Sequence, residues 1–209
     1  MKIIRKGVEI TLNDAKKYLK NGEIALCPTD TIYGICGYAL DKNVVDRIYK
    51  IKNRDESKPF SISLQKKSDI QKYAKVNNVA KKLINKFLPG PITLILPKKE
   101  SIPDYICKDY VGIRIPDSKI ILELSEIPIT STSANVSGRP SSYSISKMDK
   151  EILNSVDIII DDGDCEYKKP STIVKIIDND IELIREGSIS FDNILKELNL
   201  YNNEFKKNK

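Results

Sequence analysis

Residues 23–52, EIALCPTDTIYGICGYALDKNVVDRIYKIK, hold a short apolar run, a polar loop and an amphipathic segment, in that order. EIALCP is apolar without alternation and stops at Pro28, as a strand buried on both faces does. The loop after it carries Thr29, Asp30 and Thr31, then Tyr33-Gly34. Hydroxyls at a strand end suit recognition of a small polar ligand. An ordinary turn capped by Asp30 would use the same residues. Across 41–54, the residues Val44, Val45, Ile48 and Ile51 fall on one side of a helix.

The same alternation extends in both directions. MKIIRK reads as a strand, and Thr11 caps a helix that stops at Gly22. FSISL, ITLILP, VGIRIP, PITSTS, VDIIID, STIVKII and IELIRE read as further strands, the last two joined across 178–180. VAKKLINKFLPG and FDNILKELNL read as helices. Strands alternating with helices, then a late run of strands, predict an α/β domain with a mixed sheet. The expected domain is 1–200, followed by a flexible basic tail at 201–209. A chain of 209 residues suits one such unit and buries roughly 70% of its unfolded surface.

Composition removes several kinds of chemistry. The chain has no histidine, which excludes Ser-His-Asp and Cys-His catalysis and histidine-bound zinc. Its four cysteines form no CxxC pair, so they read as buried small hydrophobes. No leader-like segment opens the chain, and no apolar run approaches the roughly 20 residues of a membrane span. A cytoplasmic setting is expected. The net charge is +6, and residues 47–72 concentrate it, with eight Lys/Arg against three acids. An RNA-binding module using that segment is the alternative function, although aromatics there are sparse and no RNP or KH signature appears.

There is no GxxxxGK[ST], GxGxxG, kinase or GxSxG signature, so phosphates would be held by Lys, Arg, hydroxyls and turn amides. Lys52 and Arg54 flank Asn53 where a helix ends. They either finish that helix or converge on a triphosphate. Arg114 lies with Gly112 on the strand face opposite Val111, Ile113 and Ile115, either in water or as a two-pronged carboxylate clamp. PITSTSANVSGRPSS, residues 128–142, reads as a hydroxyl-rich cradle for a polar ligand.

PTDTIYG, KNRDESKP, PGPITLIL, VGIRIP, TSTSANVSGRPSS, PSTIV and IREG follow one another across residues 28–187. Together they resemble the YrdC-like family of L-threonylcarbamoyladenylate synthases. The resemblance implies an open, twisted, mixed sheet with flanking helices and a basic concave surface. It implies synthesis of threonylcarbamoyl-AMP from L-threonine, bicarbonate and ATP, with pyrophosphate released. A separate transferase would pass the group to adenosine 37 of ANN-decoding tRNAs. By the same resemblance Thr31, Arg114, Ser131 and Ser171 surround threonine. Lys52 and Arg54 act as the catalytic cations and, with Lys58, hold the triphosphate; Ser133, Asn135, Ser141 and Arg185 line the nucleotide. Mg2+ would accompany ATP, with no protein side chain as its ligand. Many relatives carry histidine where Ser63 stands, so no threonine contact is assigned to Ser63.

Overall fold

The computed structural model describes residues 1–178 and 180–198; Asn179, in the expected 178–180 turn, and residues 199–209, including the expected basic tail, lie outside the described residues. Strands β1 (Lys2–Arg5) and β2 (Val8–Glu9) form a hairpin turned at Lys6-Gly7, both at positive φ. Helix α1 (Leu12–Lys20) opens on a reciprocal cap: the Thr11 hydroxyl accepts from the Asp14 amide, and the Asp14 carboxylate accepts from the Thr11 amide. Next come β3 (Ala25–Cys27), β4 (Gly34–Cys36) and α2 (Lys42–Lys52). After β5 (Ser61–Ser63) the short α3 (Ile70–Tyr73) leads into α4 (Asn78–Phe87), then β6 (Ile92–Pro97) and β7 (Tyr110–Arg114). The chain continues through α5 (Lys119–Leu124), β8 (Ile129–Ser133), α6 (Lys150–Ser155) and β9 (Ile158–Asp161). It closes with β10 (Thr172–Ile177), β11 (Asp180–Arg185) and α7 (Phe191–Glu197).

Among the described residues the strands form one open sheet in the order β11-β10-β6-β7-β5-β8-β4-β3-β9-β1-β2. The pairs β10–β6, β5–β7 and β3–β9 are parallel and the rest antiparallel, so the sheet is mixed as expected. Side chains alternate across it. Leu26 and Ile35 join a large core with Val44, Ile48, Ile62, Leu83, Leu94, Ile113 and Ile194. Ala25, Cys27 and Cys36 join a second core with Ala15, Leu19, Ile121 and Leu124 from α1 and α5. Strand β3 is therefore buried on both faces, as its unbroken apolar run requires. All four cysteines are free and buried.

The sequence pattern misses β2, β4, α3, α5 and α6. Each is six residues or shorter, and β4 carries Gly34-Ile-Cys36 inside a stretch dense in turn residues. Helix α5, KIILEL, is a short apolar run in which helical and strand periods cannot be told apart. The Ser118 hydroxyl, accepting from the Ile121 amide, starts it.

Candidate functional site

On the face that α1 and α5 share, the central strands carry small and polar side chains opposite the large core. Ser61 and Ser63 flank Ile62 on β5; Gly112 and Arg114 flank Ile113 on β7; Thr93 and Ile95 flank Leu94 on β6. Register brings these together. Ser61 lies beside Gly112 on one side and Ser131 on the other, Ser63 beside Arg114, and Thr93 beside Ile173. A side chain on Gly112 would place its Cβ 2.3 Å from the Ser61 hydroxyl, so only glycine leaves this floor open.

The result is a cavity of about 400 Å³. Its walls bring together Arg54, Lys58, Arg114, Ser131, Ser133, Ser171 and Arg185 of the expected site, and Ser63 with them. They also include Thr29, one of the strand-end hydroxyls read from the sequence, and Ser57, Phe60, Ser61 and Thr93, which sequence reasoning missed. Strand alternation opposite core residues was the available signal for Ser61 and Thr93. Four walls are cationic and none carries a carboxylate among the described residues, so the cavity suits an anion. Among the described residues that donor set offers a divalent ion no carboxylate ligand.

Arg114 is not solvated. It is buried, its Nη2 donates to the Asp30 carboxylate and, at 2.8 Å, to the Thr31 hydroxyl, and its Nε is buried without a partner. Burial depresses its pKa, and Asp30 opposes that shift. Asp30 also accepts from the Asp117 amide. Thr31 is thus set behind Arg114 and off the cavity wall. At the other end of the sheet's polar face, Arg185 donates to the Ser171 carbonyl at 2.8 Å. The Ser171 and Thr93 hydroxyls lie 2.9 Å apart. Burial and then repulsion from Arg114 lower the Arg185 pKa.

The helix α2 ends at Asn53, whose left-handed backbone (φ 44) turns the chain. That turn separates the two cations of the Lys-x-Arg pair. Arg54 faces the cavity, its Nε donating to the Lys58 carbonyl at 2.9 Å and its Nη2 to the Pro59 carbonyl at 3.2 Å. Lys52 is 1% exposed, and its ammonium donates to the carbonyls of Ser133 and Asn135, the latter at 2.8 Å. It does not line the cavity. Asn135 and Ser141 also turn away from it. The Asn135 amide nitrogen donates to the Val136 and Arg139 carbonyls, and Ser141 donates to the Asn135 side-chain oxygen.

The basic segment 47–72 is not one exposed surface. Lys52 is inside, Arg54 and Lys58 line the cavity, Arg47 pairs with Asp157 and Lys72 with Asp69. No helix among the described residues is long and apolar enough to cross a membrane.

The Sua5/YciO/YrdC family model, described as "Telomere recombination", matches residues 17–187. The chain belongs to that family. A Methanocaldococcus jannaschii member, provisionally named threonylcarbamoyl-AMP synthase, is 53% identical over 181 residues, 87% of each chain. The Pyrococcus abyssi threonylcarbamoyl-AMP synthase is 34% identical over 188 residues, covering 87% of this chain and 55% of that one. The crystal structure of P. abyssi Sua5 complexed with L-threonine superposes with a TM-score of 0.85 at 33% identity, over 90% of this chain and 57% of that one. E. coli YciO superposes with a TM-score of 0.76 at 27% identity, over 84% and 88%. This Sua5/YciO/YrdC member therefore spans most of its M. jannaschii and YciO relatives and about half of the P. abyssi protein.

Proposed function

We infer that this chain is an L-threonylcarbamoyladenylate synthase, joining L-threonine, bicarbonate and ATP with release of pyrophosphate and water. The observation that carries the reading is a cavity walled by three guanidiniums, a lysine and hydroxyls, with no carboxylate, in a member of this family. The alternative, an RNA-binding module on 47–72, loses support because that segment's charge is largely buried, paired or turned into the cavity.

The chemistry needs no histidine. The threonine amine attacks the carbon of bicarbonate, water leaves, and the carboxylate so formed attacks the α-phosphorus of ATP, expelling pyrophosphate. Negative charge accumulates on phosphate oxygens, which fixed cations stabilise without reorganising. Arg54 and Lys58 are positioned for the triphosphate. Arg114, anchored by Asp30, faces the amino-acid carboxylate. Ser63, Ser131, Ser171 and Thr93 offer hydroxyls around it, and Arg185, held by the Ser171 carbonyl, is a further cation for the nucleotide. Mg2+ carried by ATP would neutralise phosphate charge. The product would serve a separate transferase acting on tRNA, in the cytoplasm.

Incubation with ATP, Mg2+, bicarbonate and labelled threonine tests this. Threonylcarbamoyl-AMP should be detected by mass, with pyrophosphate formed only when all substrates are present. Absence of the adenylate with every divalent ion tried refutes the reading.

A further inference from the structure

Lys52 has an environment that phosphate binding does not explain. Its ammonium is buried and bonded to two carbonyls, and no carboxylate pairs with it among the described residues. Two bonds run from Lys52, one to the last residue of β8 and one into the loop after it, and a third returns. The Ser137 amide donates to the Lys52 carbonyl at 2.8 Å. Lys52 thereby joins the end of α2, from which Arg54 and Lys58 reach the cavity, to the segment that places Ser131 and Ser133 on the opposite wall. The Ser133 and Asn135 carbonyls are both engaged by the Lys52 ammonium, which offsets the repulsion a free carbonyl oxygen would offer an anion.

We propose that Lys52 is a positioning residue rather than a phosphate ligand: it clamps the Ser133–Asn135 segment beneath the cavity, and polyphosphate binding at Arg54 and Lys58 draws a proton onto its buried amine. The proposal rests on the ATP-dependent reading above. Loss of water costs the buried cation stability, and the carbonyl dipoles return only part of it. Burial, and then repulsion from Arg54, push the Lys52 pKa down to about 7. Among the described residues Arg54 is the charged side chain that acts on it, and the end of β8 and the loop after it present carbonyls. A polyanion at Arg54 cancels that repulsion and adds attraction, so the bound state holds the proton more tightly. By linkage, affinity for the polyphosphate is full below about pH 7 and falls as pH rises above it, by up to about tenfold per pH unit.

The test uses the whole chain and a non-hydrolysable ATP analogue with Mg2+. Titration calorimetry at pH 8 in two buffers of different ionisation enthalpy should show uptake of a substantial fraction of one proton. The analogue's Kd should weaken between pH 7 and 8.5 in the wild type and much less in Lys52→Met. The nucleotide's own phosphate titration is common to both proteins and cancels in that comparison. Lys52→Arg, which keeps the charge, should recover more of the threonylcarbamoyl-AMP rate than Lys52→Met. If the wild type binds the analogue without proton uptake and with pH-independent affinity, the synthase reading stands and this one falls, whether or not the variants fold. Failure of the wild type to bind the analogue at all overturns both. Equal pH slopes in the wild type and Lys52→Met also overturn it.

Discussion

At Arg114, the Nη2 is taken by Asp30 and Thr31, so under the proposed role a substrate carboxylate would be met by the rest of the fork. A lysine there has a single nitrogen, which the buried Asp30 would claim. Arg114→Lys should therefore raise the threonine concentration for half-maximal rate by about tenfold or more, on the order of 1.5 kcal/mol, while ATP-analogue affinity measured without threonine stays put. An unchanged threonine dependence would mean that Arg114 serves Asp30 alone. Arg54 likewise binds its own loop through the Lys58 and Pro59 carbonyls. Arg54→Ala should cut the rate at limiting ATP by roughly 10- to 150-fold, the cost of a charge-assisted contact of about 1.5–3 kcal/mol. Full turnover would reduce it to a loop staple. Arg114 was readable from the strand pattern as an arginine on the polar face. Its burial was not, because Asp30 lies 84 residues away in sequence.

At the scale of elements, β5, β6 and β7 build the cavity floor by the two-residue period of a strand. Core residues Ile62, Leu94 and Ile113 point one way while Ser61, Thr93 and Arg114 point the other. Gly112 is the element-level keystone, because its parallel neighbour Ser61 occupies the space a Cβ would need. Rotating the Ser61 hydroxyl relieves the nearest contact, but the Ser61 Cβ at 3.0 Å and Cα at 3.3 Å stay crowded, so β5 and β7 must also give slightly. Gly112→Ala should cost about 1–3 kcal/mol in chemical denaturation and lower the rate with it. The double variant Gly112→Ala with Ser61→Gly should regain most of the lost stability, and failure to do so would place the strain elsewhere. Helix α1 needed no such context, since Thr11 and Asp14 write its start in four residues.

For the whole molecule, the buried cation and buried thiols set opposing pH responses. Lys52 titrates near 7 when folded and near its ordinary 10.5 when unfolded, so the unfolded chain binds more protons between those values and stability rises with pH above 7. Cys107 and Cys165 are pushed up to about 11 from 9.0, and burial also raises Tyr33. The unfolded chain loses those protons first, so stability falls above about pH 9. Denaturation midpoints across pH 6.5–10 should rise and then fall, and Lys52→Met should flatten the rising limb. A wild-type midpoint flat from 7 to 9 would contradict the Lys52 assignment. The sequence alone determined the mixed α/β class, most longer strands and helices, and the stretches that carry the cavity, because periodicity, caps and local polarity act within a few residues. The tertiary structure alone decided which cation of Lys52-x-Arg54 enters the cavity, through the left-handed turn at Asn53, and that Asn135 and Ser141 bond each other away from it. It also decided that Ser61 and Thr93 line the cavity and that Asp30 anchors Arg114. These depend on which strands become neighbours, and a sheet order of β10-β6-β7-β5-β8-β4 joins residues tens of positions apart through contacts that no local pattern encodes.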